Sequence, residues 1–70
     1  MHKKFVLKKD YTIKDGTLKA GNEIILLRDN IYYNGGMVMP SYYNIMRELI
    51  FNDKLRGEYL TEVAIIRNKV

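Results

Sequence analysis

A serine hydroxyl beside a histidine imidazole is the smallest set that can attack a carbonyl, and this chain holds one of each, Ser41 and His2. Such chemistry also needs a third group to orient the base. His2 follows Met1 on a terminus expected to be mobile, and Ser41 has a structural explanation as the N-cap of a helix that follows it. A hydrolytic pair is therefore not expected. Acid–base work by two carboxylates needs two acids held together. The eight acids, Asp10, Asp15, Glu23, Asp29, Glu48, Asp53, Glu58 and Glu62, are scattered singly. The four aspartates fall at expected turns, where their side chains serve the local backbone. With no cysteine and one histidine, no zinc site can be assembled. No acidic cluster suits magnesium or calcium. Gly35-Gly36 lacks the lysine and hydroxyl residue that complete a phosphate loop. No catalytic residue, cofactor or metal is assigned, and the expectation is a binding protein rather than an enzyme.

The tyrosines carry the positive signal. Four of the six stand in two adjacent pairs, Tyr32-Tyr33 and Tyr42-Tyr43, around the loop 34–40. Neighbours in a strand point to opposite faces, so one of Tyr32 and Tyr33 should point outward. Tyr42 belongs to the apolar face of the helix, and Tyr43 lies roughly 100° away from it. Exposed tyrosine suits protein interfaces and can also stack bases; filling a small core is the competing account. With Asn34, Gly35, Gly36 and the soft side chain of Met37, residues Tyr32, Tyr33 and Tyr43 form the candidate partner-binding surface.

Charge gives a second candidate. Residues 1–20 hold six lysines against two aspartates, whereas residues 21–70 hold six basic and six acidic side chains. Lys3, Lys4, Lys8 and Lys9 could contact phosphate or another anion. The alternative is that they guard an exposed edge strand against pairing.

The elements that would position these residues follow from pattern. Seventy residues are read as one domain, 1–70, with a marginal core. Strands are expected near 3–9, over Tyr11-Thr12-Ile13, at 23–28, at Ile31-Tyr32-Tyr33 and at Met37-Val38-Met39. Asp15-Gly16 should make a type I′ turn, with further turns at Ala20-Gly21-Asn22, Asp29-Asn30 and Asn34-Gly35-Gly36. The unbroken run Ile24-Ile25-Leu26-Leu27 predicts a central strand covered on both faces. Pro40 should end the strands and Ser41 cap a helix. Tyr42, Ile45, Met46, Leu49 and Ile50 then recur at helical spacing on one face. Asn52-Asp53 should end or loosen the helix, Leu55 could add a turn, and Gly57 should stop it. Tyr59 to Arg67 reads as a last strand through Val63, Ile65 and Ile66. The fold class is α+β: a mostly antiparallel β-roll or partly open barrel, one covering helix near 42–52 and a C-terminal strand.

Two resemblances add to this reading. The stretch Leu18-Lys19-Ala20-Gly21-Asn22-Glu23-Ile24 resembles the turn into the second long strand of Src-homology-3-like barrels. The opening MHKKFVLKKDYTIKDG, the segment IYYNGGMVMPSYYNIM and the closing AIIRNKV resemble small accessory proteins of large tailed bacteriophages with AT-rich genomes. That resemblance implies a chain that binds and disables or redirects a host protein, a defence factor included, in the host cytoplasm. Nothing approaches the roughly 20 apolar residues of a membrane span, and Phe5–Leu7 is too short for a signal-peptide core. The alternatives are a nucleic-acid binder using the lysine-rich first strand, a self-assembling virion component, and an oligomer with a small-ligand pocket at its interface.

Overall fold

The computed structural model describes residues 2–63. In chain order the elements are β1 (His2–Leu7), β2 (Tyr11–Ile13), β3 (Gly16–Leu18), β4 (Glu23–Leu27), β5 (Asn30–Tyr33), β6 (Gly36–Met37), α1 (Pro40–Phe51), α2 (Asp53–Tyr59) and β7 (Leu60–Val63). Five strands form an antiparallel sheet in the order β6-β5-β4-β1-β7, and β2 with β3 forms a separate two-stranded sheet. The protein is a small α+β fold, mostly antiparallel, and the sheet does not close into a barrel.

Alternation builds the core. Phe5 and Leu7 on β1, Ile24 and Leu26 on β4, and Ile31 on β5 all turn to one face. They meet Met46, Leu49 and Ile50 of α1, Leu18 of the hairpin and Leu60 at the start of β7. β4 is the central strand, as its apolar run suggests, but among the described residues only one of its faces is covered. Ile25 is half-buried and Leu27 is 36% exposed. Both helices contribute to the core cluster, so the opposite face, with Val6, Ile25 and Tyr32, receives neither.

The largest departure concerns β1. It is an interior strand, paired to β4 through Phe5↔Ile24 and to β7 through Leu7↔Leu60. The edge-guard account of its lysines therefore fails: the chain returns after α2 and lays β7 on the side that would have been open. β1 also stops at Leu7, before Lys8 and Lys9.

Turn chemistry differs in detail. The β2–β3 loop is Lys14-Asp15, neither residue has positive φ, and Gly16 already pairs with Ile13 as strand. The type I′ pattern falls instead at Asn34 (φ 51°) and Gly35 (φ 88°), between β5 and β6. Asn34 visits this region more readily than most residues, and its Oδ1 accepts from the Glu23 amide of β4 at 3.0 Å. The β4–β5 loop is Arg28-Asp29, with Arg28 at φ 57° and Asn30 already in β5.

The helical region is two helices rather than one. Pro40 opens α1 with Met39 as N-cap, and no side chain caps that end, so Ser41 is not the N-cap. Proline suits the first helical position because its φ is already helical and its missing donor is not needed there. Asn52 then ends α1 and starts α2. Its backbone is extended, its amide donates to the Glu48 carbonyl, and its side chain accepts from the Leu55 amide at 3.0 Å. Gly57 lies inside α2 and does not stop it; the chain leaves through Leu60 in an extended conformation, which needs no glycine. Of the expected last strand, Leu60–Val63 is strand. Ile65, Ile66 and Arg67 lie outside the described residues.

Candidate functional site

The lysine candidate changes character in space. The side-chain nitrogen of Lys3 lies 3.7 Å from the Glu62 carboxylate on β7, that of Lys4 lies 3.2 Å from Glu23 on β4, and that of Lys9 lies 2.9 Å from Glu58 on α2. Lys8 donates to the Gly57 carbonyl at 2.6 Å, in the last turn of α2, where a cation meets the negative end of the helix. Lys9 also sits 4.9 Å from the Tyr59 ring centre, and Tyr59 meets Tyr11 edge to face. Its hydrogen bond to Glu58 holds the Lys9 ammonium pKa above the ordinary value. All four lysines thus have partners that are distant in sequence and adjacent across strands or at a helix end. Such exposed pairs add little stability, but those of Lys3, Lys4 and Lys9 set a carboxylate beside each ammonium and so weaken the local positive field.

The tyrosine candidate divides. Tyr33 lies on the core side of β5 and its hydroxyl accepts from Asn22 Nδ2 at 2.7 Å and from the Lys19 amide at 3.2 Å. It therefore ties the end of the β2–β3 hairpin to the main sheet. Tyr32 is on the opposite face, half-buried between Ile25 and Met37 of the neighbouring strands. Tyr43 is not spare: its ring packs against the core and its hydroxyl donates to the Asp29 carbonyl at 2.7 Å. This fastens α1 to the β4–β5 loop. Tyr43→Phe is expected to cost about 1 kcal/mol, read as a fall of several degrees in a thermal melt with the fold retained.

The site that does form is a groove of about 350 Å³ between the hairpin, β6 and the first turns of α1. Ile13, Thr17 and Leu18 line one side, residues 36–39 the other, and Tyr33, Tyr42 and Met46 the remainder. Its volume falls at the lower end of the roughly 300–1,000 Å³ of ligand sites. Met37 and Met39 beside it are each 63% exposed. Tyr42 reaches over to the hairpin loop and donates its hydroxyl to Asp15 Oδ2 at 3.2 Å. That bond raises the phenol pKa above its ordinary value, because ionising it would place two negative charges together.

Of the residues singled out in sequence, Tyr33, Gly36 and Met37 line the groove. Asn34 and Gly35 form the exposed turn beside it, while Tyr32 and Tyr43 face elsewhere. Ile13, Thr17, Met39 and Tyr42 complete it without having been assigned to it. Strand alternation in Met37-Val38-Met39 could not mark this wall, because β6 ends at Met37 and Met39 is already the N-cap of α1. The approach of the hairpin had no local signal either, because that contact is long-range. Among the described residues the groove brings together no nucleophile with a base and no pair of acids; its chemistry is that of a soft apolar slot with a few polar groups at its rim. No helix among the described residues is long and apolar enough to cross a membrane. In comparisons with known proteins, the chain matches no family model, no curated protein and no solved structure.

Proposed function

We propose that the chain is a non-catalytic protein-binding module that seats an apolar side chain of its partner in the groove between β2–β3, β6 and α1. The observation that carries this reading is the 63% exposure of both Met37 and Met39 at the mouth of an apolar groove. Methionine adapts its shape to a partner and keeps its dispersion contacts. Tyr42 and Tyr33 stand on rigid elements and are held by hydrogen bonds to Asp15 and Asn22, so little side-chain entropy is lost on docking. The bacteriophage resemblance adds that the partner is a host protein, a defence factor among the candidates, met in the host cytoplasm. The pairing of Lys3, Lys4 and Lys9 with carboxylates favours this reading over nucleic acid, whose binders keep unpaired cations for phosphate.

A photo-crosslinking amino acid in place of Met39, irradiated in bacterial lysate, tests the proposal. One discrete protein adduct is expected, and it should disappear when Ile13→Asp is added. The same probe at Lys54, an exposed position on α2, should give no such adduct. Equal labelling from both positions, or none from Met39, would remove the groove as the binding site.

A further inference from the structure

The groove has an unusual lining. When the face of a strand borders a cavity, alternate residues reach it. Here consecutive residues do: Gly16, Thr17 and Leu18 of β3 on one wall, and residues 36–39 on the other. Two strand edges, not two strand faces, border the slot.

The hairpins say which backbone groups those edges present. Each closes on a two-residue loop, so the closing pairs Ile13–Gly16 and Tyr33–Gly36 are of the hydrogen-bonded type. The next pairs, Thr12–Thr17 and Tyr32–Met37, are then of the other type, and the amide and carbonyl of Thr17 and Met37 point away from their own hairpins. Two neighbouring bonds fit this assignment. The Val38 amide donates inward to the Ile31 carbonyl at 2.9 Å. The Lys19 amide, two residues after Thr17 and directed the same way, reaches outward to the Tyr33 hydroxyl at 3.2 Å. The outer edge of β3 therefore faces the main sheet. No bond to the backbone amides of Thr17 or Met37 from outside their hairpins occurs among the described residues.

From these edges we infer that the partner enters as an extended peptide segment, adding a β-strand along Met37 at the free edge of β6 and placing an apolar side chain in the groove. This deepens the reading proposed above and rests on it. The main chain chooses the class of partner. A lipid or a small apolar molecule could fill the groove but cannot exchange a donor and an acceptor with one strand residue. A polypeptide in extended form does so at every second residue. The first side chain on the groove side lands among Met39, Tyr42, Met46 and Ile13. Alternating apolar residues are the expected motif, and Thr17 on the facing edge offers a second donor and acceptor to the same strand.

A library of random linear peptides, selected against the folded protein, supplies the probe. Enriched peptides are expected to alternate apolar and polar residues. In the complex, the Met37 and Thr17 amides should exchange more slowly with deuterium. Methylating the peptide backbone nitrogens one at a time should cost at least about tenfold in affinity at every second position and little between them. Met37→Pro removes the outward amide without removing a bond to β5, a place where an edge strand accepts proline. It should keep the melting temperature within a few degrees and lose at least about tenfold in peptide affinity. Full-strength binding by folded Met37→Pro, or a peptide indifferent to methylation at alternate positions, would overturn strand addition. So would a selection whose peptides leave both amides unperturbed. In each of those cases a surviving Met39 crosslink preserves the groove as the protein-binding site, and loss of that crosslink removes both.

Discussion

Phe5→Ala is expected to lower stability by about 3–5 kcal/mol. Phe5 is 1% exposed and lies on an interior strand, opposite Ile24 of β4 on one side and Glu62 of β7 on the other. Truncation removes its contacts with the core and leaves a cavity at the seam between β4 and β7, where two paired backbones resist collapse. Small domains hold only about 5–15 kcal/mol in total, and the smallest hold least. The variant should therefore be largely unfolded at room temperature, with weak far-ultraviolet dichroism and no cooperative melt. A cooperative melt within a few degrees of the parent protein would show that the β1 seam is not where the core is anchored.

Leu49→Ala should cost about 2–5 kcal/mol. Leu49 is fully buried on α1, flanked by Met46 and Ile50 on the same face. The loss differs from that at Phe5 in kind. α1 is a helix laid on the sheet rather than a strand bonded on both sides as β1 is, so it can shift slightly to fill the space. The denaturant midpoint should fall with the slope of the transition unchanged. Because Met46 both joins the core and lines the groove, such a shift should also weaken partner binding although Leu49 does not line the groove. A Leu49→Ala protein with the parent midpoint would show that the helix face is wrongly assigned.

How far these features were readable in the chain depends on the range of the interaction. The helical spacing of Tyr42, Ile45, Met46, Leu49 and Ile50 located α1, but of that face only Met46, Leu49 and Ile50 are buried; Tyr42 and Ile45 are half-buried and lie outside the core cluster. Asn34-Gly35 marked a tight reversal because positive φ is a property of the residues themselves. The break at Asn52 was also local. By contrast, the interior place of β1 depends on β7, more than fifty residues later. Nothing in MHKKFVLKKD distinguishes a lysine at an open edge from one paired with Glu23 or Glu62. The candidate site was half legible for the same reason. The segment 32–43 supplied Tyr33, Gly36 and Met37, but the opposite wall comes from a hairpin that packs against it through Tyr33, Asn22 and Lys19. Tyr43 was misread because a helix position at the border of the apolar face can turn inward whenever a carbonyl, here that of Asp29, lies within reach.

The interior position of β1 also sets an order in time. It is synthesised well before its partner β7, which ends at Val63. At about 5–20 residues per second, the intervening chain takes roughly three seconds or more to emerge. Throughout that interval Phe5 and Leu7 have one side of their strand unpaired, and the sheet cannot be completed until β7 has emerged. Contacts between such distant segments also slow the search for the native arrangement. The nascent chain thus passes through a stage in which β1 is made and β7 is not, with the apolar side chains of Phe5 and Leu7 open to contact with other chains.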